Sequence, residues 1–237
     1  MDPKDKALIS KEPGNEPVTD LTCTVVTDGE ENWFVPYAQD LVQQLGHMAD
    51  VSLVFTHDEV ESCDIVFYLS YYSIVPEEVL SLARNNIVVH ESDLPRGRGW
   101  SPLTWQVLEG RNQITISLFE ANPLVDTGVV YVKECLELEG TELIDEIRAQ
   151  AGQIKVSMCR QFVENYPEII QSGIPQTGDS TYYPRRTLSD SRLDPEDTIS
   201  RQFNLLRVVD NKRYPAFFEF LGRRYLLRIE AADTQDP

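Results

Sequence analysis

The sequence predicts an α/β protein with a Rossmann-like, mostly parallel sheet flanked by helices. From residue 21 onward, short β-branched runs alternate with segments of helical periodicity, which is typical of parallel strands joined by right-handed crossovers. The run 64–69 is almost continuously apolar, as expected of a strand buried on both faces. With 237 residues and 41 % hydrophobic content, the chain can fill one large core.

The first half of the pattern predicts four strands and two helices. The strands are expected at 21–27, 51–55, 64–69 and 86–89. Apolar residues at helical spacing predict a helix from Trp33 that ends at Gly46. A second helix is expected to begin at Pro76, because a proline followed by two acidic residues suits a first turn.

The second half adds further elements and a small C-terminal extension. Its helices are predicted at 103–108, 140–171 and 199–209, and its strands at 113–118 and 129–132. A hairpin is predicted over 216–220 and 223–229, turning at Leu221-Gly222. We therefore expect a flexible leader at 1–20, a Rossmann-like domain at 21–171 and a C-terminal extension of one helix and a hairpin at 172–237, with 172–198 irregular.

The charge of the chain excludes several partners. Its net charge is −18, and residues 1–150 carry 27 acidic against 9 basic side chains, whereas residues 151–237 carry 12 of each. Such a chain repels polyanions, so we expect no nucleic-acid partner, although a local arginine cluster can still hold a small anion. No apolar run approaches a membrane span, and the N-terminus lacks the apolar centre of a signal peptide, which predicts a cytoplasmic protein.

Two nucleotide-binding motifs and metal chemistry are not indicated. The first predicted strand is followed by TDGEEN, which is neither the G-x-G-x-x-G of dinucleotide-binding folds nor a phosphate-binding P-loop. The four cysteines are widely separated and only three histidines are present, so we expect free thiols and no metal site.

Two polar residues are expected to meet at the carboxyl edge of the sheet, where α/β proteins bind ligands. His90 ends the fourth strand, and Asp126 comes just before another strand. A carboxylate beside an imidazole makes a general acid–base pair near neutral pH. The alternative is a loop histidine and an ordinary turn residue.

The sequence around His90 and Asp126 resembles that of the folate-dependent formyltransferases. It reads V-H-x-S-x-L-P-x-x-R-G-x-x-P over 89–102, then Trp105 and Gly110, then D-T-G over 126–128, with S-Y-Y-S-I-V-P upstream over 70–76. The family pattern is N-x-H, S-L-L-P-x-x-R-G and D-x-G, in the same order and with matching separation. The resemblance covers most of residues 21–237. The family includes enzymes that act on methionyl-tRNA, glycinamide ribonucleotide and sugar nucleotides.

The resemblance implies formyl transfer from N10-formyltetrahydrofolate to an amine, without a metal. It implies that His90 is the general base and that Asp126 orients it. The residues expected to flank the folate are Tyr71, Ile74, Val75, Pro76, Ser92, Leu94 and Pro95.

One position departs from the family pattern. The family's asparagine lies two residues before the histidine, and this sequence has Val88 there. Valine donates no hydrogen bond to the oxyanion that forms during acyl transfer, and loss of one such donor costs about 10²–10³ in rate. We favour replacement of this donor by a backbone N–H, by Ser92 or by Asn86. The alternatives are a slow enzyme and a binding relative that has lost catalysis.

The C-terminal extension is similar to the formyltransferase half of the UDP-4-amino-4-deoxy-L-arabinose enzyme. This implies a nucleotide-linked amino sugar as acceptor, in bacterial glycan biosynthesis; glycinamide ribonucleotide and an aminoacyl-tRNA are the alternatives. Guanidinium groups and aromatic rings suit phosphates and bases. The residues expected to bind this substrate are Arg98, Tyr183, Arg185, Arg186 and Arg207. Most aromatic residues, including Trp33–Tyr37, are expected in the core, and the hairpin is a possible homodimer contact.

Overall fold

The computed structural model describes residues 20–232, so the leader predicted over 1–20 lies, except for Asp20, outside the described residues. The strands are β1 (Thr22–Val26), β2 (Asp50–Val54), β3 (Cys63–Tyr68), β4 (Ala83–His90), β5 (Arg98–Gly99), β6 (Gln113–Glu120), β7 (Val130–Glu137), β8 (Tyr182–Tyr183), β9 (Ala216–Phe220) and β10 (Arg223–Leu227). The helices are α1 (Val35–Leu45), α2 (Glu77–Leu80), α3 (Pro102–Leu108), α4 (Ile144–Glu164) and α5 (Phe203–Arg207). Three short 3₁₀ turns cover His57–Glu59, Glu168–Ser172 and Leu188–Ser191.

Six strands form one mixed sheet in the order β2-β1-β3-β4-β6-β7. The first four of these run parallel, and β6 and β7 are antiparallel to their neighbours. The predicted Rossmann-like, mostly parallel sheet is therefore confirmed. The apolar strand β3 lies between β1 and β4, with Ile65, Val66 and Phe67 fully buried, as its sequence predicted.

Helices α1 and α4 pack on the same side of the sheet and against each other. Helix α1 has a proline in its first turn and ends before Gly46, as predicted. The single helix predicted over 140–171 is wrong at both ends. The backbone N–H of Leu143 donates to the Glu146 carboxylate 2.8 Å away, which caps α4, and the chain leaves the helix before Pro167 because a residue preceding proline disfavours helical geometry.

The C-terminal extension folds back onto the sheet domain. The predicted hairpin is confirmed as β9 and β10, while the predicted 199–209 helix is reduced to α5. The segment predicted to be irregular contains β8, which pairs with β5 next to the end of β4. The domain boundary near residue 171 stays a prediction.

The helices formed by residues 20–232 include none that is long and apolar enough to cross a bilayer. Within that same range, no group of three or more His, Cys, Asp or Glu side chains is placed to hold a metal ion.

Candidate active site

His90 ends β4 at the carboxyl edge of the parallel strands. Its Nε2 lies 2.9 Å from the carbonyl oxygen of Gly97 and 3.8 Å from Oδ2 of Asp126, and its ring meets Phe119 edge-on. Because a carbonyl oxygen only accepts hydrogen bonds, the neutral imidazole carries its proton on Nε2. Nδ1 then presents a lone pair, and it has no hydrogen-bond partner among the described residues.

Asp126 is held by backbone and side-chain contacts on both sides. Its φ of 55° is left-handed, a conformation that aspartate tolerates better than most residues, and its Oδ2 accepts a 2.8 Å hydrogen bond from the N–H of Gly99. The amide of Gln176 donates to the carbonyls of Asp126 and Gly128. His90 is therefore oriented by the hydrogen bond that its Nε2–H donates to the Gly97 carbonyl, while Asp126 places a negative charge beside Nε2–H.

Two glycines permit the close approach of the chains that hold this pair. A Cβ on Gly128 would lie 1.7 Å from the carbonyl oxygen of Glu120. A Cβ on Gly99 would lie 2.6 Å from the carbonyl oxygen of Tyr183, at a φ of +93°. These positions in the R-G and D-T-G motifs are restricted to glycine by backbone contact.

His90 and Asp126 line a cleft of about 310 Å³ at this edge of the sheet. One part of its wall is mostly apolar and aromatic. The residues of this part, called here the apolar half, are Tyr68, Tyr71, Ile74, Val75, Leu80, Val88, Phe119, Pro123 and Val125. A flat heterocycle suits such a wall, so the residues present fit a folate ring system.

The residues predicted to flank the folate divide into two groups. Tyr71, Ile74 and Val75 lie in the apolar half, whereas Pro76, the next residue in the chain, is not among the residues that line the cleft. Ser92 is buried behind the cleft, where its side chain faces Gly97. Leu94 and Pro95 line a separate cavity of about 510 Å³, and Leu94 packs on Phe119 from there. The geometry therefore does not support direct contact of Ser92, Leu94 or Pro95 with folate.

A second part of the wall, called here the charged half, was missed by sequence reasoning. It consists of Trp33, Ser70, Tyr72, Glu91, Arg148 and Lys155. The Nζ of Lys155 lies 2.5 Å from Oε1 of Glu91 and 5.4 Å from the Trp33 ring centroid. Trp33 packs against the core, as expected, and it also lines the cleft, where helix α4 brings Lys155 and Arg148 against its ring. Only Glu91 carried a usable signal, its position directly after His90.

Most residues predicted to bind the substrate are engaged within the protein. Arg98 donates to Gln176 at 2.6 Å and so supports the loop of Asp126. The hydroxyl of Tyr183 donates to Glu109, and Arg186 points inward to the Val208 and Asp190 carbonyls. Arg185 places its guanidinium 4.8 Å from the ring centroid of Trp100, which lines the cleft.

Arg207 requires a correction of the predicted role. Only 1 % of its surface is exposed, and it donates to the Glu142 backbone carbonyl and to the Glu142 carboxylate, each at 3.0 Å. Burial lowers the pKa of this guanidinium, although Glu142 opposes the effect. Arg207 therefore anchors the C-terminal extension to the β7–α4 connection, and we do not include it in the binding site.

Val88 is part of the apolar half, and it stands where the family pattern has an asparagine. Of the proposed replacements, Asn86 uses its amide N–H to donate to the carbonyl of Leu80 and lies outside the cleft wall. The hydroxyl of Ser92 is buried behind the cleft and has no hydrogen-bond partner in the described part of the chain. Neither of these two side chains therefore directs a donor into the cleft.

A histidine beside a carboxylate, in a cleft at the carboxyl edge of a Rossmann-like sheet, is an arrangement that suits group-transfer chemistry. Residues 38–158, just over half of the chain, match the family model described as formyl transferase, and the chain belongs to this family. It is a folate-dependent formyltransferase, since the family uses formyl-tetrahydrofolate as donor.

Solved structures share the fold. A methionyl-tRNA formyltransferase from Clostridium thermocellum is 22 % identical with a TM-score of 0.76, over 91 % of this chain and 95 % of that one. A sugar N-formyltransferase from a Shewanella species is 13 % identical with a TM-score of 0.65, over 91 % and 99 %. HypX from Aquifex aeolicus in complex with tetrahydrofolic acid is 18 % identical with a TM-score of 0.71, over 89 % of this chain and 38 % of that one.

Proposed function

We propose that this enzyme transfers the formyl group of N10-formyltetrahydrofolate to the amine of a nucleotide-linked amino sugar. The observation that supports this is the position of His90, which lines the cleft together with the apolar half and the charged half. Its Nδ1 has no hydrogen-bond partner within residues 20–232. The apolar half suits the folate ring system, and the charged half suits a polar acceptor. His90 then lies where the two substrates meet.

The residues account for each proton of the reaction. The acceptor enters as an ammonium ion with three protons, and one of these passes to Nδ1 of His90 so that the nitrogen lone pair can attack the formyl carbon. A new C–N bond forms, and the bond from the formyl carbon to N10 breaks. The second proton moves to N10, and the third stays on the formamide nitrogen. The negative charge of Asp126, 3.8 Å from Nε2, stabilises the imidazolium that forms.

The choice of acceptor is supported by charge and by the rim of the cleft. The net charge of −18 disfavours a tRNA acceptor. Arg185 lies exposed over Trp100 at the cleft, where a guanidinium can hold a phosphate. One solved structure of the same fold is a sugar N-formyltransferase whose length this chain almost fully covers. A cytoplasmic location, a place in glycan biosynthesis and a homodimer through the hairpin stay predictions.

A single-turnover assay tests this proposal. The enzyme is mixed with N10-formyltetrahydrofolate and, in separate reactions, with UDP- and dTDP-linked amino sugars, glycinamide ribonucleotide and methionyl-tRNA. We expect tetrahydrofolate to be released with at least one amino sugar nucleotide. If tetrahydrofolate is released only with glycinamide ribonucleotide or methionyl-tRNA, the proposed acceptor class is wrong and that compound takes its place. If no amine leads to release, the protein is a binding relative without catalysis.

The substitution Val88→Asn is expected to raise kcat at least about ten-fold, a fraction of the 10²–10³ that one oxyanion donor contributes. Neither Asn86 nor Ser92 directs a side-chain donor into the cleft, so the new amide fills a position that lacks one. The measurement is the kcat for the amino sugar nucleotide that the wild-type enzyme uses best. Val88→Ala is the matched control, because it changes the wall without adding a donor. An unchanged kcat in Val88→Asn would show that a backbone N–H already serves the oxyanion.

A further inference from the structure

The charged half of the cleft contains an ion pair that the chemistry described so far does not use. Lys155 projects from the middle of α4 and is 1 % exposed, with its Nζ 2.5 Å from Oε1 of Glu91. The same Nζ lies 3.4 Å from Oγ of Ser70 and 5.4 Å from the ring centroids of Trp33 and Phe34. Lys155 is thus fixed from several sides, and Glu91 is among the residues that line the cleft.

The pair is costly as a purely structural device. Removing both charges from water costs several kcal/mol per ion, and well-packed apolar residues usually serve stability as well or better. The pair also stands in the cleft wall and not in the centre of the core. Burial favours the neutral acid, but Lys155 prevails and lowers the pKa of Glu91, so Glu91 is the anionic member of the ion pair in the cleft wall.

The position of Glu91 indicates which kind of ligand its carboxylate can bind. Glu91 follows His90 directly in the chain, and both side chains line the cleft. In the described part of the chain, Lys155 is the one cation paired with Glu91, and it occupies one of the two carboxylate oxygens. A carboxylate in the same cleft as the proposed base suits a protonated amine.

We propose that Glu91 binds the ammonium group of the acceptor and holds it beside His90, and that Lys155 is a positioning residue that fixes the Glu91 carboxylate. This assignment rests on the proposed function and adds the determinant that selects an amine over a hydroxyl. Glu91 accepts a hydrogen bond from the ammonium and keeps its own charge throughout. The ammonium proton passes to Nδ1 of His90, and the neutral nitrogen then attacks the formyl carbon.

The test compares E91Q and the double variant E91Q/K155M with the wild-type enzyme. The double variant removes both charges, so it leaves no buried lysine without its carboxylate. The probes are the amino sugar nucleotide that the wild-type enzyme formylates best and the analogue with a hydroxyl in place of the amine. We expect KM for the amine to rise at least about ten-fold in both variants, the loss expected for a hydrogen bond to a charged group. We expect the preference for binding the amine over the hydroxyl analogue to be lost.

Two controls separate this role from a structural one. Binding of 5-formyltetrahydrofolate measures the apolar half and should be unchanged in the double variant. The variant R160M/E164Q removes an exposed ion pair from the same helix, where Arg160 Nε lies 3.4 Å from Glu164 Oε1, and should behave as wild type.

Each outcome decides between the two proposals. Turnover by the wild-type enzyme, with an unchanged preference for the amine in the double variant, would overturn the role of Glu91 alone. No turnover by the wild-type enzyme with any amine would overturn the proposed function, and the assignment of Glu91 with it.

Discussion

Replacing His90 by alanine is expected to lower kcat by about 10²–10⁴, the range that a positioned general base contributes. In the proposed mechanism the imidazole accepts the proton of the acceptor amine at Nδ1, and no other imidazole lines the cleft within residues 20–232. The measurement is single-turnover release of tetrahydrofolate, followed from pH 6 to pH 9. Free neutral amine becomes more abundant as pH rises, so the defect of His90→Ala should shrink toward the alkaline end.

His90→Gln is the matched control for this variant. Its amide can keep a hydrogen bond to the carbonyl of Gly97, 2.9 Å from Nε2 in the wild-type enzyme, but it cannot take up a proton. Both variants should bind 5-formyltetrahydrofolate normally. Near wild-type turnover in either variant would remove His90 from the mechanism.

Replacing Arg207 by methionine is expected to lower the free energy of unfolding by about 3 kcal/mol, as for other buried pairs that lose one partner. The substitution leaves the Glu142 carboxylate and the Asn112 amide without the guanidinium that binds them. For a chain of this size the midpoint of thermal unfolding should fall by about 6–12 °C. Circular dichroism during heating measures the change.

Arg185→Ala is the opposite case and serves as the control. Arg185 is exposed over Trp100, so its loss should leave the unfolding midpoint unchanged and raise KM for a sugar nucleotide about ten-fold. An unaltered midpoint in Arg207→Met, together with weaker nucleotide binding, would restore Arg207 to the binding site and contradict its role as an anchor.

The sheet and the proximity of His90 to Asp126 could be predicted because their signals are local. The apolar run of β3 and the β-branched runs around it determine strands whatever their neighbours. His90 is predicted at the functional edge because it ends one of those strands, and parallel strands share that edge. The long helix was predicted too long at both ends, since periodicity does not show where capping by Glu146 and the approach to Pro167 end it.

The roles of the arginines could not be predicted in the same way. Arg185, Arg186 and Arg207 are chemically alike in the sequence, and the fold alone determines that one is exposed over Trp100 while Arg207 is enclosed by Glu142. The charged half of the cleft was missed for a related reason. Lys155 and Glu91 are far apart in the chain, and only the packing of α4 against the sheet brings their charges to 2.5 Å.

The sequence by itself determined the class of fold, the edge of the sheet that carries the chemistry and the family to which the chain belongs. Each of these depends on neighbouring residues or on fixed spacing, which the chain displays before it folds. The tertiary structure decided which predicted residues face the cleft, which hydrogen bond orients His90 and which charges lie beside it. These depend on contacts between distant segments, because burial and pairing belong to the packed protein and not to the residue type.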